Sequence, residues 1–266
     1  MSHASSPAPP PLVLVGHGTK DPSGVAAFGA FTRRLAAAFA ARGAEVAGGF
    51  IELSAPPLRD TVAGLAGRGH RHLVAVPLVL SAASHAKGDI PAALARESAR
   101  HPGLRWSYGR PLGPHPVLLD LLAQRIAVRQ PAFSWPSAAQ LPAAQLPAAQ
   151  LPAAQLPVVP SMPGAPDQPA AVLLVGRGST DPDANAEVCK TARLLWEGRG
   201  YAFVETAFVS LAAPGVADGL ERCRRLGARQ IIVAQYFLFP GVLPDRIVAQ
   251  ARSYADAHPE LEVTCT

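Results

Sequence analysis

The opening of this chain is written twice. Leu12-Val13-Leu14-Val15-Gly16-His17-Gly18-Thr19 returns as Val172-Leu173-Leu174-Val175-Gly176-Arg177-Gly178-Ser179, and the following Asp21-Pro22 returns as Asp181-Pro182. Phe50–Pro57 returns from Phe208 to Pro214, and His101-Pro102-Gly103-Leu104 returns as His258-Pro259-Glu260-Leu261. A repeat of this length requires one fold to be built twice. Within each copy a short apolar run reads as a buried strand, stops on Gly-x-Gly, and gives way to helical spacing. In the first copy Glu45–Ile51, His72–Leu80 and Leu104–Tyr108 read as further strands. They alternate with helices over Ser23–Arg42, Leu58–Arg68, Ile90–Arg100 and Pro116–Arg129. That rhythm predicts an α/β domain with a doubly wound parallel sheet covered on both faces. The second copy stops at Thr266 with no counterpart of the Pro116–Arg129 helix.

Between the copies the pattern collapses. Ala138–Pro157 reads A-A-Q-L-P four times over, and a proline at every fifth residue forbids a continuous helix. The expected organisation is a disordered tail over 1–11, a first domain over 12–130, a Pro/Ala-rich linker over 131–169 and a second domain over 170–266. The first eleven residues lack both a basic and an apolar segment, so no secretory signal is expected. No apolar run nears the ~20 residues that span a bilayer, so no membrane partner is expected. Three cysteines without CxxC spacing (Cys189, Cys223, Cys265) argue against a disulfide framework or a zinc knuckle, which makes the cytoplasm the expected compartment. The net charge of +5 favours anionic partners. The basic residues are scattered rather than interleaved with aromatics, which points away from nucleic acid.

Ligands of open α/β sheets bind beyond the carboxyl ends of the strands. In the first copy His17, Glu52 and His85 each follow such an end; in the second copy Arg177, Ser210 and, approximately, Leu243 stand there. A purely structural role would be needed in both copies, so the joint loss points to one functional site per chain. Two imidazoles and a carboxylate suit a borderline divalent metal, and three protein ligands leave positions open for a substrate. A neutral histidine is also a proton acceptor near neutral pH. His70 and His72 sit at the opposite end of the sheet, while His101 and His258 precede prolines in turns of both copies; all four read as structural. His115 follows the fourth strand on the functional side and is a candidate pocket residue.

At these residues the chain resembles the sirohydrochlorin chelatases, the class II chelatases of the cobalamin and sirohaem pathways. The motifs are V-G-H-G-T at Val15–Thr19, F-I-E-L-S-x-P at Phe50–Pro56, H-A-K-x-D-I-P at His85–Pro91 and R-P-L-G-P-H-P at Arg110–Pro116. The resemblance implies two tandem flavodoxin-like domains with a cleft between them, and insertion of Co²⁺ or Fe²⁺ into sirohydrochlorin. His17 would then be metal ligand and proton acceptor, and His85 the second metal ligand and a catalytic residue. Glu52 would lie by the metal or the macrocycle, and Leu80, Ser81, Ala82, Ala83 and Ser84 would line the tetrapyrrole pocket. The divalent metal would be a substrate, no organic cofactor is expected, and the fused halves imply a monomer. The positive balance would suit an octa-anionic substrate, with Lys87 and Arg177 as candidate carboxylate contacts. With both histidines in the first copy, the second copy is expected to contribute only the far wall and regulation of access.

Two rival readings stand beside this one. Gly-His-Gly is similar to the Arg-His-Gly of histidine phosphatases, but Gly16 occupies the place of the phosphate-holding arginine. A non-catalytic metal or tetrapyrrole carrier would use the same ligands and differ in showing no turnover.

Overall fold

The computed structural model describes residues 9–82, 85–129 and 169–266, with His85 and Ala86 described by their backbone alone. The linker expectation falls almost wholly outside these residues, as do most of the expected tail, Ala83 and Ser84. The first half runs β1 (Leu12–Gly16), α1 (Pro22–Ala40), β2 (Val46–Phe50), α2 (Leu58–Gly67), β3 (His72–Pro77), a π-helical turn (His85–Asp89), α3 (Ile90–Arg100), β4 (Arg105–Tyr108) and α4 (Pro116–Ala127). The second half runs β5 (Ala171–Gly176), α5 (Pro182–Trp196), β6 (Val204–Phe208), α6 (Val216–Arg225), β7 (Gln230–Gln235), α7 (Val242–Ala257) and β8 (Glu262–Cys265).

Both sheets are parallel and share one topology, β2-β1-β3-β4 and β6-β5-β7-β8. The doubly wound fold is therefore built twice. Its strand order reverses direction beside β1 and again beside β5, which opens a crevice past the carboxyl ends of β1 and β3 in one half and of β5 and β7 in the other. The third strand is shorter than its apolar run: it stops at Pro77, which pairs with Val15, one residue short of the end of β1 at Gly16. Helix α3 is preceded by a turn that reads as loop in the sequence, because Lys87-Gly88-Asp89 is polar and carries a glycine; that turn is π-helical.

The two long helices after the Gly-x-Gly turns start in the same way. Asp21 Oδ1 accepts from Ser23 N at 2.8 Å, Asp181 Oδ1 accepts from Asp183 N at 3.0 Å, and a proline follows each cap. A carboxylate there satisfies one of the donors that a helix start leaves unpaired.

Helix α4 settles what covers the second sheet. It follows the first sheet in sequence, yet Leu119, Leu122 and Ile126 are buried with Val172, Leu174, Val188, Ala192, Leu195 and Ile232 of the second half. Arg199 Nη2 reaches back to Asp120 Oδ1 at 3.0 Å. The second sheet therefore has α5 and α4 on one face and α6 and α7 on the other. On the first sheet α2 and α3 cover one face, and α1 with Leu238 and Phe239 of the second half covers the other. The thinner cover shows residue by residue: Leu12, Leu35, Val46, Val74 and Val76 are partly exposed, while their counterparts Val172, Leu195, Val204, Ile232 and Ala234 are buried.

Candidate metal-insertion cleft

His17 stands where β1 ends, and its position is set by a backbone crossing with the segment after β2. Ile51 N donates to Gly16 O at 3.0 Å and Glu52 N donates to His17 O at 3.1 Å. Gly18 closes the crossing at φ +111°, and a Cβ there would fall 1.8 Å from the Glu52 carbonyl oxygen, so no other residue fits without breaking the turn. Ser54 completes it: its hydroxyl donates to Thr19 O at 2.6 Å and accepts from Thr19 N at 2.8 Å. The crossing brings the histidine and the glutamate of successive strands together, with His17 Nε2 2.9 Å from Glu52 Oε1.

The donor geometry constrains the proton. A carboxylate only accepts, so the His17–Glu52 contact places a hydrogen on Nε2. The other ring nitrogen, Nδ1, is 3.3 Å from the Gly18 carbonyl oxygen, also an acceptor. A neutral ring serves one of these contacts and an imidazolium serves both. His17 is 24% exposed and Glu52 52%, so the pair faces solvent through the glutamate.

The pair opens on a cleft of about 520 Å³ between the two halves. The first half lines it with Gly16–Lys20, Leu53 and Leu78–Ser81, the second with Gly176–Thr180 and the run Tyr236–Pro244. Apart from His17, Lys20 and Arg177 the lining is neutral, and Phe28, Phe50, Phe237, Leu238 and Phe239 make much of it apolar. A preformed, largely apolar concavity with a few polar groups at one edge is the ordinary form of a small-molecule site. In the second half the same turn is kept, with Gly178 at φ +86° against Ser210 O, but Arg177 and Ser210 replace the histidine and glutamate.

Of the residues expected at the site, His17, Leu80 and Ser81 line the cleft, and Glu52 joins through His17. Ala82 carries a hydrogen bond to the second half. Ala83, Ser84 and the His85 side chain lie outside the described residues. Among those residues no three metal-binding side chains gather, and His17 with Glu52 forms the described part of the site. His115 is not a pocket residue: its Nδ1 accepts from Val117 N at 3.3 Å and caps α4. His70 and His72 are tied to Glu45 and Ser107, and His258 Nδ1 donates to Tyr254 O, which fits the structural reading of all three. Lys87 is engaged by Asp181 at 2.8 Å and Asp183 at 3.4 Å, so its charge is already answered; that partnership lowers the Asp181 carboxyl and raises the Lys87 ammonium from their ordinary values. Tyr236 went unnoticed in the sequence. It stands in the strand-end run Gln235-Tyr236-Phe237 as one more apolar residue, yet it is part of the wall, its hydroxyl donates to Gly113 O at 3.4 Å, and burial raises its phenol.

By sequence the chain is similar to proteins of one family. The CbiX family profile matches residues 11–128 and 171–266. A sirohydrochlorin cobaltochelatase of Priestia megaterium is 31% identical over 213 residues, 80% of this chain and 60% of its own. A sirohydrochlorin ferrochelatase of the same organism is 28% identical over 74% of this chain and 62% of its own. The chain thus spans about three-fifths of the length of these two relatives. Among solved structures, SirB from Bacillus subtilis with Fe³⁺ superposes with a TM-score of 0.71 at 25% identity, covering 95% of this chain and 86% of that one. By its matched segments, and by the doubled sheet that holds them, the chain belongs to the CbiX family.

Proposed function

We propose that this protein inserts Co²⁺ or Fe²⁺ into sirohydrochlorin, with the metal as a substrate and His17, Glu52 and His85 as its binding and proton-handling residues. The observation that carries the reading is the His17–Glu52 pair, 2.9 Å apart at the edge of an apolar cleft and missing from the equivalent turn of the second half. The names of the similar proteins support the same reading, which extends to this chain the activity of relatives longer than itself.

Insertion exchanges two pyrrolic N–H protons for one M²⁺, so two protons must leave as the metal arrives. A neutral His17 takes one of them, and the half-exposed Glu52 carboxylate passes the other to solvent. The imidazolium so formed donates from both nitrogens, to the Glu52 carboxylate at 2.9 Å and the Gly18 carbonyl at 3.3 Å, and those acceptors stabilise the protonated ring. When Nε2 serves instead as a metal ligand, its proton passes to Glu52, whose half-exposed carboxylate returns it to solvent. One nitrogen cannot do both at once, so the two roles fall at different moments of the cycle. The apolar walls suit the macrocycle faces, and the Leu80–Ser84 segment is the expected edge of that pocket. Lys20 and Arg177, the cations of the lining, suit peripheral carboxylates.

The test is anaerobic incubation with sirohydrochlorin and Co²⁺ or Fe²⁺, followed by the visible spectrum. Many turnovers above the spontaneous rate are expected, and His17→Ala should lower kcat by about 10²–10⁴-fold while leaving the fold intact. A spectral change saturating at one equivalent would replace the enzyme with a carrier, and unchanged turnover in His17→Ala would remove the histidine from the mechanism.

A further inference from the structure

The segment that follows β3 starts in the first half and is finished by the second. Leu78 N still donates to Val15 O at 2.8 Å, and Val79 O still accepts from Leu112 N at 2.9 Å, both inside the first half. Three residues on, Ala82 N donates to Glu187 Oε2 at 2.9 Å, across 105 residues of sequence. At the other end of the segment, Lys87 on the π-helical turn meets Asp181 and Asp183. Asp183 and Glu187 lie in the first two turns of α5, and Asp181 is its N-cap. Ala82 and Lys87 bracket His85, so one helix of the second half grips the histidine-bearing segment on both sides.

The chemistry of the two grips differs. Glu187 is half-buried, and its carboxylate accepts from a backbone amide, a charge-assisted bond that fixes the main chain itself. Asp181 is shared: one oxygen caps α5 and the other takes the Lys87 ammonium, so the start of the helix and the end of the segment hang on one side chain. Neither contact has a counterpart in the apolar loop after β7, which rests on α1 through Phe239.

We propose that Glu187 and Asp181 are positioning residues of the second half that fix Ala82 and the π-helical turn at Lys87, the two ends of the segment that carries His85. The proposal rests on reading His85 as a metal ligand in the function proposed above, and it gives the histidine-free half a part in the chemistry beyond forming a wall.

The experiment compares Glu187→Ala, Glu187→Gln and Asp181→Asn in the full chain by amide hydrogen exchange, Co²⁺ binding without tetrapyrrole, and the split between kcat and KM. Gln keeps an oxygen that accepts from Ala82 N, and Asn keeps the helix cap, so neither variant strips α5 of its structural partners. In Glu187→Ala, exchange across residues 82–89 should rise about tenfold, the size expected from losing one charge-assisted bond, and Co²⁺ affinity and kcat should fall by a similar factor. KM for sirohydrochlorin should stay within about twofold, and Glu187→Gln should recover most of all three losses. Asp181→Asn should raise exchange at the 87–89 end only. Unchanged exchange over 82–89 in Glu187→Ala overturns the proposal, as does raised exchange with Co²⁺ affinity and kcat at the wild-type level. If the wild type itself inserts no metal, the function proposed above falls, while the exchange measurement still decides whether α5 holds the segment.

Discussion

The loops after β3 and after β7 occupy equivalent places, and each crosses to the opposite half, yet only the first adds charged hydrogen bonds to its apolar contact. The loop after β7 brings Phe239 edge-on to Phe28 and Phe31, at 5.9 and 6.2 Å between ring centres. Its Pro240 carbonyl lies so near Gly24 that a Cβ there would be 2.9 Å away. The loop after β3 makes its crossing through Glu187, Asp181 and Asp183. Dispersion and burial hold the first in a broad, close-packed well. The second adds a few directional bonds, which fix geometry, to the packing of Leu80 against the core that α4 shares with the second sheet. The apolar crossing packs ring against ring, and the polar one ties Ala82 and Lys87 to the start of α5. A duplicated fold has kept its architecture in both copies and given each a different crossing.

The sharpest way to break this comparison is at the turn both halves share. Gly18→Ala and Gly178→Ala each drive a Cβ to 1.8 Å from a carbonyl oxygen at positive φ. Both should destabilise by at least about 3 kcal/mol in denaturant titration. Only Gly18→Ala should also abolish turnover in the fraction that remains folded; equal activity losses would mean that the second turn is as functional as the first. Next in size is the apolar crossing. Phe28 is 3% exposed and lies 4.3 Å from the Phe50 ring, so Phe28→Ala should cost about 3–5 kcal/mol, read as a lowered denaturant midpoint at unchanged slope. A loss under about 1 kcal/mol would show that the aromatic cluster is not what joins the halves.

Smaller effects compare two solutions to one problem. Ser54 satisfies Thr19 N in the first half, and Asn185 Oδ1 satisfies Ser179 N at 2.9 Å in the second while its Nδ2 donates to Ser179 O. Ser54→Ala and Asn185→Ala should each cost about 1–2 kcal/mol by thermal or chemical unfolding, since each strands a part-buried backbone donor. The smallest effect concerns pH. Asp181 is lowered chiefly by its bond from Lys87, and Lys87 is raised chiefly by Asp181. The contribution of the aspartate is complete above its ordinary carboxylate value and lost as pH falls through the lowered one. That of the lysine is complete below its ordinary value and lost as pH rises through the raised one. Between about pH 5 and 9 neither group changes charge, so Asp181→Asn should scale the pH–rate profile in that window without moving its inflections.

Much of this was legible in the residues. Alternating strands and helices gave the doubled sheet, and laying one copy on the other singled out His17 and Glu52, which the backbone crossing after β1 and β2 brings into contact. What stayed hidden was partnership between elements distant in the chain. The apolar face of α4 shows in its sequence, but nothing in Leu119, Leu122 and Ile126 says that they serve the second sheet. Glu187 reads as one more charge on a solvated helix, because its partner is a main-chain amide, which leaves no trace in the side chains. His115 looked functional from its place after β4, and the demand of a proline-led helix for a cap claimed it.

The path of α4 separates the covalent boundary of the halves from their folding boundary. A chain severed anywhere between Gln130 and Gln168 yields a first fragment whose last helix packs on the sheet of the second. Neither fragment is then a free-standing cassette: the second leaves the cut with only α5 on a sheet face that α4 and α5 cover together. Recombination or design that exchanges one half for a homologous one must place its breakpoint ahead of Pro116, not at the seam that the repeat suggests.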